Sequence, residues 1–301
     1  NADKKFDLDN ENSPLKNLLK PNRRIQAWLG AEAENIDAEV VPTFTRASVA
    51  YLSNGRQVPA NTPRFEVGKF GKAIMVEEGT TNILPSNDAT GKTLFPSNNG
   101  VYSVNSLVSD FGRSDNYSIK STQVQSGVNR GFYTPRYNIS PDVEYSASLY
   151  VYTSLSGKAF YVGINWYDSN NNTIFNIWSD SIDIVPGKWT RLMISGKSPI
   201  NAAKAVIVCH AVSTSAKSEV GDIYYFDDFQ LEAKPYPTSF TDGTRTAETL
   251  TIPTEGVLNP QEGTIEFWWC PINQPVDTII SQHTAPPIIQ VGDYYNNNSW
   301  I

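Results

Sequence analysis

Runs in which apolar and polar residues strictly alternate constrain this chain more than any other feature of its sequence. Residues 144–153 and 159–168 each place an apolar row on one face of a predicted strand. The two rows are Tyr145, Ala147, Leu149 and Val151, and Phe160, Val162, Ile164 and Trp166. Further strand-like runs follow at 188–195, 204–212 and 222–232. Alternation with a period of two is typical of strands buried on one side, so these runs predict an all-β chain that folds as an antiparallel β-sandwich.

The composition fits this fold class and excludes two kinds of partner. Fifteen tyrosines, seven tryptophans and thirteen phenylalanines among 301 residues favour strands and turns over helices. The net charge of −7 argues against a nucleic-acid or anionic-membrane surface, which needs clustered Lys and Arg. No stretch approaches the roughly 18 apolar residues of a membrane span, and no early apolar segment resembles a signal peptide. We therefore expect no nucleic-acid binding and no membrane insertion.

Changes in charge density and in the alternation of apolar and polar residues divide the chain into four segments. Residues 1–42 are densely charged and interrupted by prolines, which predicts an N-terminal arm that anchors the protein to a larger assembly. Residues 43–82 contain short strand-like pieces around an Asn-Gly hairpin signal and predict a small β module. Residues 83–239 are expected to form this sandwich. Residues 240–301 are expected to begin a partial second sandwich that either continues in further chain or completes its core against another subunit, because a few strands alone cannot cover both faces of a sheet.

The residue types that usually carry catalysis are sparse and scattered. The two histidines, His210 and His283, assemble no Ser-His-Asp set and no His-rich metal site. No spacing of carboxylates singles out a glycosidase pair. The two cysteines, Cys209 and Cys270, stand in apolar or aromatic runs, which favours buried thiols over a single bridge or a reactive thiol. The sequence therefore predicts a non-catalytic protein.

Three stretches, in order along the chain, resemble phage tail and virion-surface structural proteins. Residues 44–87, beginning FTRASVAYLSNGRQVP, resemble the strand-turn-strand module that precedes carbohydrate-binding-like domains in those proteins. Residues 144–240, from EYSASLYVYT to GDIYYFDDFQLEAKPYPTSF, resemble the jelly roll of xylanase-associated carbohydrate-binding modules. Residues 262–272, EGTIEFWWCPI, are similar to the opening strands of a laminin-G or concanavalin-like sandwich. The resemblance implies adhesion or structure on a particle surface, often as a trimer.

Consecutive carboxylates inside an aromatic run, Asp227 and Asp228, are expected to project to opposite faces, so at least one needs a compensating group. In the resembled modules the equivalent acidic position helps to hold a structural calcium ion. That resemblance implies Asn82, Asn87 and Asp88 as further ligands, because the ends of a jelly roll lie side by side. The alternative is a hydrogen-bonded or solvated carboxylate at a strand end.

Five residues opposite the apolar rows are candidates for carbohydrate binding. They are Tyr150, Tyr152, Tyr161, Asn165 and Tyr167, and they are predicted to share the outer or groove face of one sheet. Sugar binding needs aromatic faces for the C–H side of the ring and amides or carboxylates for the hydroxyls. The alternative is that these aromatic residues pack under a loop or against a neighbouring subunit.

We expect a tail fibre or receptor-binding component of a virion that adheres to host-surface glycans through its jelly roll. Residues 1–42 would contact other virion or tail proteins. Trp268 and Trp269 face opposite sides of their predicted strand, so a partner chain is expected to cover one of them, most simply in a homotrimer. The alternative is the carbohydrate-binding region of a secreted bacterial polysaccharide-degrading enzyme, which leaves residues 43–82 unexplained.

Overall fold

The computed structural model describes residues 42–68, 71–95, 103–126, 131–212 and 218–252. Nearly all regular structure within these ranges is strand, and one short helix, α1 (Ser86–Ala89), accompanies it. Every strand pairing among the described residues is antiparallel. The predicted fold class is confirmed. The predicted arm, apart from Pro42, and the predicted second sandwich beyond Ile252 lie outside the described residues.

Short strands from the two ends of the described chain form four two-stranded sheets, β1–β19, β2–β3, β4–β5 and β6–β18. These strands are β1 (Thr43–Thr45), β2 (Ala50–Tyr51), β3 (Gln57–Val58), β4 (Arg64–Gly68), β5 (Gly71–Met75), β6 (Thr80–Thr81), β18 (Thr244–Arg245) and β19 (Thr249–Thr251). The predicted Asn-Gly hairpin is confirmed between β2 and β3, where Gly55 adopts a φ of 89° that L residues avoid. The predicted segment 43–82 thus pairs with residues 244–251, and the predicted domain boundaries stay predictions.

Two larger sheets face each other across the core. The five-stranded sheet has the order β15-β11-β17-β8-β7. Its strands are β7 (Ser103–Val108), β8 (Ser118–Gln123), β11 (Glu144–Tyr152), β15 (Thr190–Lys197) and β17 (Ile223–Glu232). The six-stranded sheet has the order β10-β16-β12-β13, with β14 beside β12 and β9 beside β16. Its strands are β9 (Gly131–Tyr133), β10 (Tyr137–Asn138), β12 (Ala159–Tyr167), β13 (Thr173–Trp178), β14 (Ile182–Asp183) and β16 (Lys204–Ala211).

The core lies between these sheets and contains both predicted apolar rows. All eight residues of the rows on β11 and β12 belong to one buried cluster. Cys209 is a buried free thiol in the same cluster, as predicted, and burial raises the pKa of this thiol. Phe240, the first residue of the predicted last segment, also packs in this core against Tyr51. No helix among the described residues is long and apolar enough to cross a membrane.

Candidate functional site

The outer face of the six-stranded sheet carries three of the predicted binding residues. Tyr161, Asn165 and Tyr167 alternate along β12 with side chains that face the core, as the sequence predicts. Tyr161 and Tyr167 are six residue steps apart along an extended strand, which corresponds to roughly 20 Å. The outer face is therefore long enough to contact an extended ligand.

Four aromatic rings meet at the Tyr161 end of this face, on strands β9, β12, β13 and β16. We call Tyr133, Tyr161, Trp178 and His210 the outer aromatic cluster. The ring of Tyr161 lies 5.2 Å from that of Trp178 at an interplanar angle of 86° and 5.9 Å from that of His210, centroid to centroid. Trp178 and His210 are 5.0 Å apart, and Tyr133 is 5.7 Å from His210. Together with Ser179, three of these rings line a shallow open depression of about 420 Å³.

Gly163 explains why Trp178 lies in this depression. The two residues are direct cross-strand partners of β12 and β13. A Cβ atom on Gly163 would stand 2.6 Å from Cε3 of the Trp178 indole, so the indole lies across the space that a side chain would fill. A glycine inside a strand often marks such a close approach. Trp178 and His210 are not among the residues predicted from the sequence, and the feature of the sequence that indicates Trp178 is Gly163 within the second alternating run.

At the Tyr167 end of the face, the aromatic ring is buried instead of lining an open depression. Tyr167 is only 8% exposed and packs with Val206 and Val208. The guanidinium carbon of Arg136 lies 4.4 Å from the centre of the Tyr167 ring, so this ring is covered by a cation rather than open to a ligand. Asn165 lies between the two ends, and its buried Oδ1 has no hydrogen-bond partner among the described residues.

Tyr150 and Tyr152 lie on the other sheet, which corrects the prediction that all five residues share one face. Their strand, β11, is the neighbour of β15 and β17, whereas β12 belongs to the six-stranded sheet. Tyr150 is buried beneath Arg113, whose guanidinium carbon is 3.5 Å from the ring centre. Tyr152 packs in a second group of half-buried rings under a loop, the alternative that the sequence left open. That group is Phe111, Tyr152, Trp189 and Tyr225.

Asp227 and Asp228 are both fully buried, and both contact Arg113. The Asp227 carboxylate accepts the backbone N–H of Arg113 at 2.7 Å, and the Asp228 carboxylate forms an ion pair with its guanidinium. The prediction of opposite faces is wrong because β17 bulges here: Ser148 pairs with Gln230 but Tyr150 with Asp227. A bulge brings two successive side chains to one side of a strand, and Asp228 adopts a φ of 53° within it. Burial raises the pKa of both carboxyl groups.

The remaining predicted calcium ligands lie near β17 but have other partners. The Asn82 amide donates to the carbonyls of Phe229 and Thr241, and its oxygen accepts the N–H groups of Leu84 and Leu231. The carboxylate of Asp88, in α1, accepts the Tyr137 hydroxyl at 2.8 Å. Asn87 is exposed on the same helix. The ends of the sandwich therefore meet as predicted.

These residues do not fit a calcium ion in this arrangement. Both oxygens of each buried carboxylate, and the Asn82 oxygen, already accept a hydrogen bond or an ion pair. Within the described ranges, no three His, Cys, Asp or Glu side chains are grouped so that they could hold a metal ion. Elemental analysis, combined with melting curves before and after chelation, tests the calcium prediction.

Comparisons with known proteins give low similarity. No protein-family model matches the chain, and no curated protein matches it significantly. A xylanase 10B fragment of Clostridium thermocellum, comprising modules CBM22-1 and GH10 with xylohexaose, is 19% identical. The match covers 52% of this chain and 28% of that chain, with a TM-score of 0.39.

Two further solved structures give similar values. The CBM22-2 xylan-binding domain of Paenibacillus barcinonensis Xyn10C is 10% identical over 52% of this chain and 98% of that chain, with a TM-score of 0.38. The enzymatically active domain of bacteriophage CBA120 tailspike protein 4 is 15% identical over 50% of this chain and 21% of that chain, with a TM-score of 0.36. At these values the comparisons assign neither a family nor a function.

Proposed function

We propose that this protein is a non-catalytic carbohydrate-binding β-sandwich that binds a glycan on the outer face of its six-stranded sheet. The observation that carries the proposal is the pair of rings from Tyr161 and Trp178, set nearly at right angles along an open depression. Trp178 is 37% exposed, and Tyr161 beside it is half-buried, so both rings are accessible from solvent. An aromatic face of this kind is what the apolar C–H side of a sugar ring packs against.

Polar groups beside the rings supply hydrogen bonds for sugar hydroxyls. Ser179 lines the depression next to Trp178. Asn165 faces the same side of the sheet, and its cross-strand partner Asn176 is exposed. Asn165 and Asn176 stand on paired strands, and Ser179 follows β13 directly with its backbone N–H bonded to the Val162 carbonyl at 2.9 Å. The face is therefore rigid before the ligand binds, which lowers the entropic cost of binding.

Affinity measurements on single variants test the proposal. We expect Trp178→Ala and Tyr161→Ala each to weaken glycan binding at least about tenfold, which corresponds to about 1.4 kcal/mol. Phe175→Ala is the matched control, because Phe175 is an aromatic residue on the same strand that is 57% exposed and does not line the depression. Titration calorimetry, with ligands chosen from a glycan array, gives the dissociation constants. Equal affinity of Trp178→Ala and wild type, or no glycan bound by the wild type, contradicts the proposal.

We also propose that the protein works on the surface of a virion or tail, as a fibre or receptor-binding component. The order of the three resembling stretches supports this role, because it includes residues 44–87 as well as the sandwich. Residues 1–42 would then anchor the protein to other virion proteins. Immunogold labelling of particles tests this location, and protection of residues 1–42 from proteases in an isolated monomer would contradict the anchoring role.

The second candidate is the carbohydrate-binding region of a secreted bacterial polysaccharide-degrading enzyme. The resemblance of residues 144–240 to xylanase-associated modules supports it equally, since both candidates use the same face. The enzyme and the virion candidates differ in the domains that are joined to the sandwich. A glycosidase domain joined to this chain favours the enzyme, whereas fibre repeats favour the particle.

A further inference from the structure

Arg136 is an exposed residue on the outer face. A stacking contact positions its guanidinium, and no carboxylate among the described residues neutralises its charge. Its guanidinium lies over the ring of Tyr167 at 4.4 Å, which restricts an otherwise flexible side chain. It forms no ion pair with any residue that the structure describes. A guanidinium presents its N–H donors in a planar fork that matches the two oxygens of a carboxylate.

The charged residues next to Tyr167, in sequence and across the strands, have partners of their own. Lys204, paired with Tyr167 across the strands, donates to Oδ1 of Asn171 at 2.7 Å. Asp168, which follows Tyr167 in sequence, accepts the backbone N–H of Asn172 at 2.8 Å and its side-chain amide at 2.9 Å. The Asp168 carboxylate is therefore engaged by Asn172 and forms no ion pair with Arg136.

Asn165 extends the polar end of the face toward the aromatic end. Its side chain is 9% exposed, and Oδ1 accepts no hydrogen bond from a described residue. Asn165 lies on the same side of β12 as Tyr161 and Tyr167, in the path of a ligand that reaches from Trp178 to Arg136.

We propose that the glycan bound at this face carries a carboxylate, as in a uronic acid, and that Arg136 recognises this group. This inference rests on the proposed function. The roughly 20 Å between Tyr161 and Tyr167 requires an oligosaccharide rather than a single sugar, with the C–H faces of its other rings on Tyr161 and Trp178. The net charge of −7 repels anions at long range, so recognition depends on the local guanidinium.

Two pairs of matched probes test this inference. One pair is a hexasaccharide of galacturonic acid and its carboxyl-reduced form. The other is xylohexaose with and without a glucuronic acid substituent. Because hydrogen bonds to charged groups contribute more than neutral ones, we expect the wild type to prefer the acidic member of at least one pair about tenfold or more. The preference should shrink as salt is raised.

Variants separate this inference from the proposed function. Arg136→Gln should abolish the preference for the acidic member, and Arg136→Lys should retain part of it, since the charge stays but the fork is lost. Trp178→Ala should weaken both members of a pair to the same extent. Lys188→Gln, an exposed cation outside the face, is the control and should leave the preference unchanged. Melting curves verify that each variant folds.

The outcomes are distinguishable. If the wild type binds both members of each pair equally, the carboxylate inference is overturned while the proposed function stands. A preference that survives in Arg136→Gln overturns the assignment to Arg136. If the wild type binds neither member of either pair and no other glycan, both the inference and the proposed function fail.

Discussion

Arg113 connects three parts of the sandwich through one buried guanidinium. It forms an ion pair with Asp228 in the bulge of β17 and donates to the backbone carbonyls of Leu52 and Ser53 beside the first hairpin. It also packs on the ring of Tyr150. This residue is the compensating group that the sequence required for the Asp227 and Asp228 pair, although it lies more than 100 positions away.

Removal of Arg113 should destabilise the protein strongly. Arg113→Met leaves the Asp228 carboxylate buried without its cation, and breaking such a pair costs about 3–5 kcal/mol. Arg56→Met is the control, because Arg56 is exposed in the same hairpin and should change stability by less than about 0.5 kcal/mol. Urea unfolding measures both values. A loss below about 1 kcal/mol in Arg113→Met would show that the contact is not needed.

Asp227 should make stability depend on pH. Burial, followed by the nearby Asp228 carboxylate, raises the pKa of Asp227 well above its ordinary value of 3.8. Between these two pKa values the folded protein binds a proton that the unfolded chain lacks, so the contribution of Asp227 to the free energy of unfolding falls as pH rises. Asp227→Asn cannot titrate. We therefore expect this variant to gain stability relative to wild type as pH rises through that window.

Unfolding curves at several pH values measure this difference. Asp228→Asn is the informative comparison, because Asp228 is the ion-pair partner of Arg113 and its replacement should be the more destabilising at pH 7. A stability difference between Asp227→Asn and wild type that does not change with pH would mean that folding does not raise the pKa of Asp227.

At the scale of elements, a buried cluster of charges links the N-terminal strands to the segment after the sandwich. We call Arg46, Arg64, Glu77, Arg245 and Glu248 the Arg/Glu cluster. Glu248 pairs at 2.7 Å with both Arg46 and Arg64, and all three side chains are fully buried. Burial alone would raise the pKa of Glu77, but Arg245 and Arg64 beside it lower this pKa below its ordinary value. Buried ion pairs therefore connect residues 46–77 to residues 245–248, in addition to the pairing of strands.

Glu248→Gln should destabilise the protein, because it keeps the shape of the side chain but leaves two buried guanidinium groups without their shared carboxylate. We expect a loss of about 3–5 kcal/mol in urea unfolding. Lys197→Gln is the control, since the pair of Lys197 with Asp142 is exposed and such pairs contribute at most about 1 kcal/mol. If the two variants unfold at the same urea concentration, the cluster does not contribute to stability.

Alternation in the sequence predicted the facing of strand residues but not the assignment of strands to sheets. The buried rows on β11 and β12 are as predicted because a period of two determines which side chains share a face. The same period does not specify the partner strand. β11 and β12 are consecutive in sequence yet lie in opposite sheets, which separated Tyr150 and Tyr152 from Tyr161.

Local irregularities account for the other differences between prediction and structure. The bulge at Asp228 reverses the facing of the residues that follow it, so Phe229 rather than Asp228 is in the core. Trp178 belongs to the site through its pairing with Gly163, which depends on the register of a hairpin. Tertiary contacts determine both features, and neither leaves a periodic signal.

At the scale of the whole molecule, the prediction of an oligomer rests on the sequence of the last segment of the chain. The run 263–270 alternates so that Phe267 and Trp269 share one side of a predicted strand while Trp268 stands on the other. This run lies outside the described residues. Large apolar groups on both sides of a strand need cover on both sides, and an uncovered edge of this kind promotes aggregation.

We expect the full chain to form a homotrimer in solution and a shorter chain of residues 42–252 to be a monomer. The shorter chain retains the whole described sandwich, including the pairing of β1 with β19 and the Arg/Glu cluster, so it should fold and bind glycan as the full chain does. Burial of one tryptophan contributes about 2–3 kcal/mol, and three symmetric copies would stabilise a trimer substantially.

Light scattering gives the masses of the full chain and of the shorter chain. A monomeric full chain in which a fluorescence quencher reaches neither Trp268 nor Trp269 would show that the last segment completes its own fold, whereas a trimer of the shorter chain would place the contact on the sandwich itself.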